Sequence, residues 1–186
     1  MGAQRAPATG TAGPRVTIHT EHPFADPDPD PVRRLRGRLG GAVTLWTAGD
    51  LDGTHAGLTV SSVMVGRGEP GHVLGLLDPD SDLRDVLDDT GRAVVHLLQW
   101  RHRDLAEAFA GLLPAPGGPF RAAAWEQGGH GPVLLPDASH ALVEVEEVRE
   151  VGWSLLVDAR VVDVVLHEDL EPLEHRRGRY VRPPDR

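Results

Sequence analysis

Cysteine is absent from the 186 residues, which excludes disulfides, thiolate metal ligands and cysteine nucleophiles together. Aromatic residues make up only 4%, so a core has to be assembled mainly from valine, leucine and alanine. No apolar run approaches the ~18 uninterrupted residues of a membrane-spanning helix, and the opening MGAQRAPATGTAGPRVTIHT has no apolar core of signal-peptide length. These absences predict a soluble, cytoplasmic protein. Positive charge is in deficit as well. The formal net charge is −9, which disfavours nonspecific contact with nucleic acid or with an anionic membrane.

Glycine (22) and proline (16) are abundant, as suits turn-rich β architecture. Residues 1–30 are rich in Ala, Gly, Pro and Thr and end in a proline–aspartate alternation that favours extended chain. They read as a flexible tail, in which RVTIHT (15–20) offers one short strand. The length of the remainder, 31–186, suits a single domain with a sizeable core.

Within that domain, PVRRLRGRLG predicts a short helix with Pro31 in its first turn and Gly40 ending it. AVTLWTA (42–48) is closed by the hairpin signal GDLDG, and strands follow at 56–65 and 72–78. DSDLRDVLDDTG predicts a helix capped by Asp80 or Ser81 and stopped by Gly91, with Leu83, Val86 and Leu87 on one face. A strand at 92–99 and an amphipathic helix through Leu105, Ala108, Phe109 and Leu112 come next. Residues 114–132 read as a Gly/Pro-rich loop, and two long strands, 140–151 and 152–168, close the domain. Strands outnumber short helices, which favours a small antiparallel barrel with helices over its openings.

Three signals lose their sharper meaning in context. Gly66, Gly68 and Gly71 spell G-x-G-x-x-G with Asp88 at fingerprint distance, but Pro70 and the β-rich run to Asp78-Pro79 leave no helix for a pyrophosphate, so the segment is a strand-to-strand loop. Ten histidines form neither HxH nor HExxH, so no metal site is expected. Ser61 and Ser62 lack the G-x-S-x-G elbow of a hydrolase. The basic segments RRLRGR (33–38) and HRRGRY (175–180) allow two readings, a solvated face or attraction of a phosphate-bearing ligand.

The remaining signal is the strand HAGLTVSSVMV (55–65), which carries Thr59, Ser61 and Ser62 in a run otherwise built for a core. A hydroxyl buried without a partner costs a few kcal/mol, roughly. Thr59 and Ser61 share a strand face and Ser62 points the other way. Either they line a pocket, with Gly57 permitting close backbone approach, or the threonine pairs across the sheet and the serines bond nearby carbonyls.

From Val32 to Tyr180 the order of segments resembles the flavin reductase-like family of FMN-binding split barrels. The likeness runs through Ala56-Gly57-Leu58-Thr59-Val60-Ser61-Ser62, a proline turn at Pro70, a serine at Ser81, RAVVHLL, DLAEAFAG and PLEHRRGRY. The resemblance implies a mainly β fold, a six-stranded antiparallel Greek-key barrel, assembled as a homodimer with FMN near the interface. Thr59, Val60, Ser61 and Ser62 would meet the flavin ring and ribityl chain, and Asp78, Ser81 and Arg84 would surround its phosphate. His96 stands where relatives carry an asparagine, and would either donate a similar hydrogen bond to the cofactor or fill space. The implied activity is reduction of FMN or another flavin by NADH or NADPH, with reduced flavin passed to a partner monooxygenase. Such chemistry needs no catalytic side chain, because hydride moves between the two cofactors.

This chain reads Asp78-Pro79-Asp80-Ser81-Asp82-Leu83 where relatives tend to have Asn first and Thr last. It has Gly152-Trp153-Ser154 where some relatives have glycine–aspartate–histidine, leaving Trp153 and Ser154 as candidate nicotinamide contacts. The alternatives are a flavin- or small-ligand-binding barrel without turnover, and an oxidase of the pyridoxamine-phosphate type, which predicts clustered cations around a substrate phosphate.

Overall fold

The structure is a computed structural model that describes residues 30–168 and 171–182. Residues 1–29 of the tail expected at 1–30, its RVTIHT strand included, lie outside the described residues. Helix α1 (Pro31–Leu39) forms as its ends dictate: Asp30 accepts from the Val32 amide at 2.8 Å, Pro31 occupies the first turn, and Gly40 follows the last. The short β1 (Gly41–Ala42) leads to β2 (Thr44–Gly49), and the Asp50–Thr54 turn brings the chain back as β3 (His55–Val60). Strands β4 (Val63–Gly66) and β5 (His72–Leu77) flank the glycine-rich loop, which is the strand-to-strand connection expected of it. Helix α2 (Asp82–Thr90) buries Leu83, Val86 and Leu87 and ends at Gly91, whose φ of 63° no β-branched residue would tolerate cheaply.

Strand β6 (Arg92–Leu97), helix α3 (Arg103–Phe109), strands β7 (Ala124–Gly128) and β8 (Gly131–Leu135), the long hairpin β9 (His140–Val151) with β10 (Ser154–Val165), and the ribbon β11 (Glu174–Arg176) with β12 (Arg179–Val181) complete the chain. The β7–β8 hairpin corrects the loop expected over 114–132. Glycine and proline at its ends and glutamate and glutamine in β7 mask a strand pattern that Trp125 and Leu134 complete by packing under α3.

The main sheet has seven strands in the order β3-β2-β6-β9-β10-β5-β4. The expected six-stranded Greek-key split barrel is therefore corrected to a seven-stranded curled sheet that does not close. The cause is local: the run read as one strand from 56 to 65 breaks at Ser61–Ser62, pairing with β2 before the break and with β5 after it. The two outermost strands of the sheet are thus consecutive in the chain. Inside the curl lie Trp46, Val60, Val73, Leu77, Val143 and Val157, plugged by α2. Trp46 is fully buried, and its Nε1 donates to Thr44 Oγ1 at 3.1 Å. Its ring fits because residue 75 is glycine; a Cβ there would lie 2.7 Å from the indole. The outer face of β2 packs a second core, Val43, Leu45, Leu105, Phe109, Leu134 and Leu173, beneath α3.

Candidate functional site

The three hydroxyls of the 55–65 strand have different fates. Thr59 and Gly57 lie on the face covered by α3: Thr59 Oγ1 donates to the Ala106 carbonyl at 2.7 Å, and a Cβ on Gly57 would stand 2.6 Å from Phe109 Cε1. The close approach that Gly57 permits is therefore that of a phenyl ring from its own chain. Val60 is buried in the inner core. Ser61 and Ser62 are half-buried, and among the described residues neither hydroxyl has a hydrogen-bonding partner. Their backbone is held, with the Ser62 carbonyl accepting from Leu76 N at 3.0 Å. Half-buried hydroxyls on a fixed backbone, without protein partners, are the groups a bound ligand can satisfy.

The topology gathers most of the other expected residues around the same end of the sheet. Beside Ser62, β5 runs out at Leu77 into the Asp78–Ser81 turn. Leu77 pairs with Leu155, so the hairpin tip Gly152–Trp153 and the adjoining Ser154 lie next to that turn. Trp153 is 92% exposed. Ser154 is half-buried at the start of β10.

The turn satisfies itself. Asp78 Oδ1 accepts from Asp80 N at 3.0 Å, and Ser81 Oγ donates to the Asp78 carbonyl at 2.7 Å instead of capping α2. Asp82 and Asp85 occupy the first turn of α2 and already complement its dipole. Arg84 reaches Asp88 at 3.0 Å and Asp85 at 3.4 Å. The turn and the first turn of α2 thus bring carboxylates to this end of the sheet, and Arg84 is engaged along the helix.

His96 lies apart from this group, fully buried where β2, β6 and β8 meet. Its Nε2 accepts from the Leu134 amide at 3.1 Å, which leaves Nδ1–H to donate to the Leu45 carbonyl at 3.0 Å. Burial lowers its pKa to about 3, with smaller contributions in the same direction from His140 and His102, so the ring is neutral at ordinary pH. Both ring nitrogens belong to the core, and none remains for a ligand.

Two of the surface clefts among the described residues bear on the site. The larger, about 630 Å³, lies between α3 and β8, lined by Leu105, Ala108, Pro114, Arg121 and Leu134, and contains none of the residues expected to meet a flavin or nicotinamide. The smaller, about 370 Å³, is lined by Leu39, Gly40, Gly41, Glu174, His175 and Arg176. It adjoins the hydroxyl break, because a Cβ on Gly41 would stand 3.4 Å from the Ser61 carbonyl. Chemistry favours the smaller cleft over the more voluminous one. Gly41, His175 and Arg176 are its residues that were not among the expected ligand contacts; His175 and Arg176 had a signal in the basic segment 175–180, and Gly41 had none.

The fold recurs among solved proteins. The flavin reductase PheA2 superposes with a TM-score of 0.73 at 24% identity, over 83% of this chain and 97% of that one. The Streptomyces globisporus C-1027 NADH:FAD oxidoreductase SgcE6 gives 0.73 at 21%, over 83% and 92%. The styrene monooxygenase flavin reductase of Pseudomonas putida S12 gives 0.72 at 23%, over 83% and 98%. No curated protein sequence matches the chain. The model of the flavin reductase-like domain matches residues 36–183, from within α1 to beyond β12, and the chain belongs to that family.

Proposed function

We propose that this chain is an NAD(P)H-dependent flavin reductase that binds its flavin across the Ser61–Ser62 break and supplies reduced flavin to a partner monooxygenase. The observation that carries the site is the pair of half-buried, unpartnered hydroxyls at the point where one strand changes neighbours. Those donors fit the polar edge of a flavin, and family membership supports the activity. When bound, the flavin supplies the hydride acceptor, so the chain's task is to orient two cofactors and exclude water. Trp153, exposed beside Ser154 and the Asp78 turn, offers an indole face to the nicotinamide.

FMN is the flavin in this reading and the working unit is a homodimer. What supports the dimer is the apolar margin of β4, where Met64 and Val65 are 65% and 72% exposed on an unpaired strand edge. Binding without turnover is the second reading, favoured by the carboxylates of the Asp78–Asp82 turn.

Absorbance of the isolated protein tests both. A band near ~450 nm that bleaches on anaerobic addition of NADH or NADPH is the expected result. A band that persists under reductant leaves only the passive binder. If excess flavin leaves the melting temperature unchanged, the native state has no flavin site and the proposal fails.

A further inference from the structure

Resting on the flavin reading above, the surface charges point to where the ligand's phosphate lies. The chain contains no lysine, so every basic side chain is a guanidinium, whose planar fork matches a phosphate at two points. Arg84, Arg103, Arg160 and Arg182 each lie within reach of a carboxylate. Among the described residues of this chain of net charge −9, Arg67, Arg92, Arg101, Arg121 and Arg149 do not and are scattered along the sequence, whereas Arg36, Arg38, Arg176, Arg177 and Arg179, which also do not, fall in two segments that the fold brings together.

These arginines are assembled from both ends of the domain. Arg177 N donates to the Gly37 carbonyl at 2.7 Å, docking α1 against the β11–β12 ribbon. Gly40, at φ +65°, lies under the stem of Arg176, whose Cγ would be 3.3 Å from a Cβ there. Arg36 reaches the vicinity of His175, whose pKa is lowered by burial first and by that guanidinium second. The dipole of α1 accounts for two cations in its last turn, Arg36 and Arg38. It does not account for the ribbon, where Arg176 and Arg179 are direct cross-strand partners, an arrangement of like charges that destabilises a sheet.

The small cleft joins this corner to the hydroxyl break. Its one carboxylate is Glu174, and Gly41 at its edge abuts Ser61. Ser62 in turn adjoins Leu76 of β5, which runs on to Asp78, Asp80 and Asp82. A ligand lying across Ser61–Ser62 therefore meets negative charge in one direction and uncompensated guanidinium in the other.

We propose that the corner formed by Arg36, Arg38, Arg176 and Arg179 is the phosphate subsite for the nucleotide bound at Ser61–Ser62, and that the acidic Asp78–Asp82 turn is not where that phosphate lies. A phosphate of the flavin and a phosphate of the nicotinamide dinucleotide share this chemistry, and the arms of one experiment separate them.

The full chain, freed of flavin, is titrated with FMN and with riboflavin by fluorescence quenching, and with NADPH and NADH by the nucleotide's own fluorescence. FMN is expected to bind about tenfold tighter than riboflavin, an advantage that shrinks in high salt. The double variant R36E/R176E removes the advantage and leaves riboflavin binding unchanged, while Asp80→Lys changes FMN affinity less than about twofold. Should the FMN advantage survive R36E/R176E while a preference for NADPH over NADH disappears, the phosphate held is the nicotinamide nucleotide's and the subsite stands. If both preferences survive, or if Asp80→Lys alone tightens FMN, the phosphate lies at the acidic turn and the inference is overturned. Loss of affinity for a monooxygenase with neither preference altered makes the corner a protein contact and overturns it equally. Failure of riboflavin and FMN alike to bind the parent chain removes the underlying flavin reading instead. Circular dichroism verifies folding, and R36Q/R176Q replaces the reversal if that variant does not fold.

Discussion

The hydroxyl of Thr59 donates to the carbonyl of Ala106 across 2.7 Å, tying an edge strand to the helix that covers it. The carbonyl also accepts from Ala110 N at 3.0 Å, so it keeps one partner if the threonine is changed. Thr59→Val is expected to cost about 1 kcal/mol of stability and to leave flavin affinity within about twofold of the parent. Loss of flavin binding at full stability would instead make Thr59 a ligand contact.

Ser61 and Ser62 should behave in the opposite way. Neither hydroxyl has a protein partner among the described residues, so Ser61→Ala and Ser62→Ala should each stay within ~0.5 kcal/mol of the parent in urea unfolding. Each should weaken flavin by roughly three- to tenfold, as the loss of one hydrogen bond does. Two silent variants in a flavin titration would move the cofactor elsewhere.

Gly57 is small because Phe109 needs the space. Gly57→Ala places a methyl 2.6 Å from the ring and should lose about 1–3 kcal/mol, and Phe109→Leu in the same chain should recover part of it. Thermal melts of the two single variants and the double variant measure the coupling. Additive effects would contradict the contact.

Acid should unfold this protein partly through His96. Its folded pKa is about 3 against an unfolded value of 6.5, so between those values the unfolded chain binds a proton that the folded chain refuses. The contribution is complete above pH 6.5 and disappears as pH falls toward 3. His102, lowered to about 4 by burial first and Arg101 second, acts in the same direction. Urea unfolding from pH 7 to pH 4 should show stability falling by a few kcal/mol, on the order of what such shifts supply. In His96→Asn, which can still donate and accept but does not titrate, the slope should be shallower. An unchanged slope assigns the dependence to other groups.

Helix ends were legible in the sequence because single residues decide them: Pro31 opens α1 and Gly40 follows it, and Gly91 closes α2 within a residue or two of expectation. The long strands β9 and β10 were legible from their valine runs. What escaped was whatever depends on a distant neighbour. Nothing local distinguishes Thr59 from Ser61, since the helix that engages one and not the other lies more than forty residues on. His96 looks like a ligand until β2 and β8 approach both of its nitrogens. The two arginine-rich segments look like ordinary solvated charge until the backbone bond from Arg177 to Gly37 brings them together. The break at Ser61–Ser62 was hidden because a strand that exchanges neighbours keeps its alternating pattern through the exchange.

That exchange has a mechanical consequence. Because the segment ending at Val60 and the one starting at Val63 are the two rims of a single sheet, a small molecule gripping the residues between them acts as a staple at a seam. Occupancy there should slow amide exchange on both sides of the seam at once, at residues in β3 on one rim and at Leu76 of β5, which bonds the Ser62 carbonyl beside the other rim, although β3 and β5 exchange no ladder hydrogen bonds with each other. A ligand of a few dozen atoms would thereby restrain the opening motion of the entire curl.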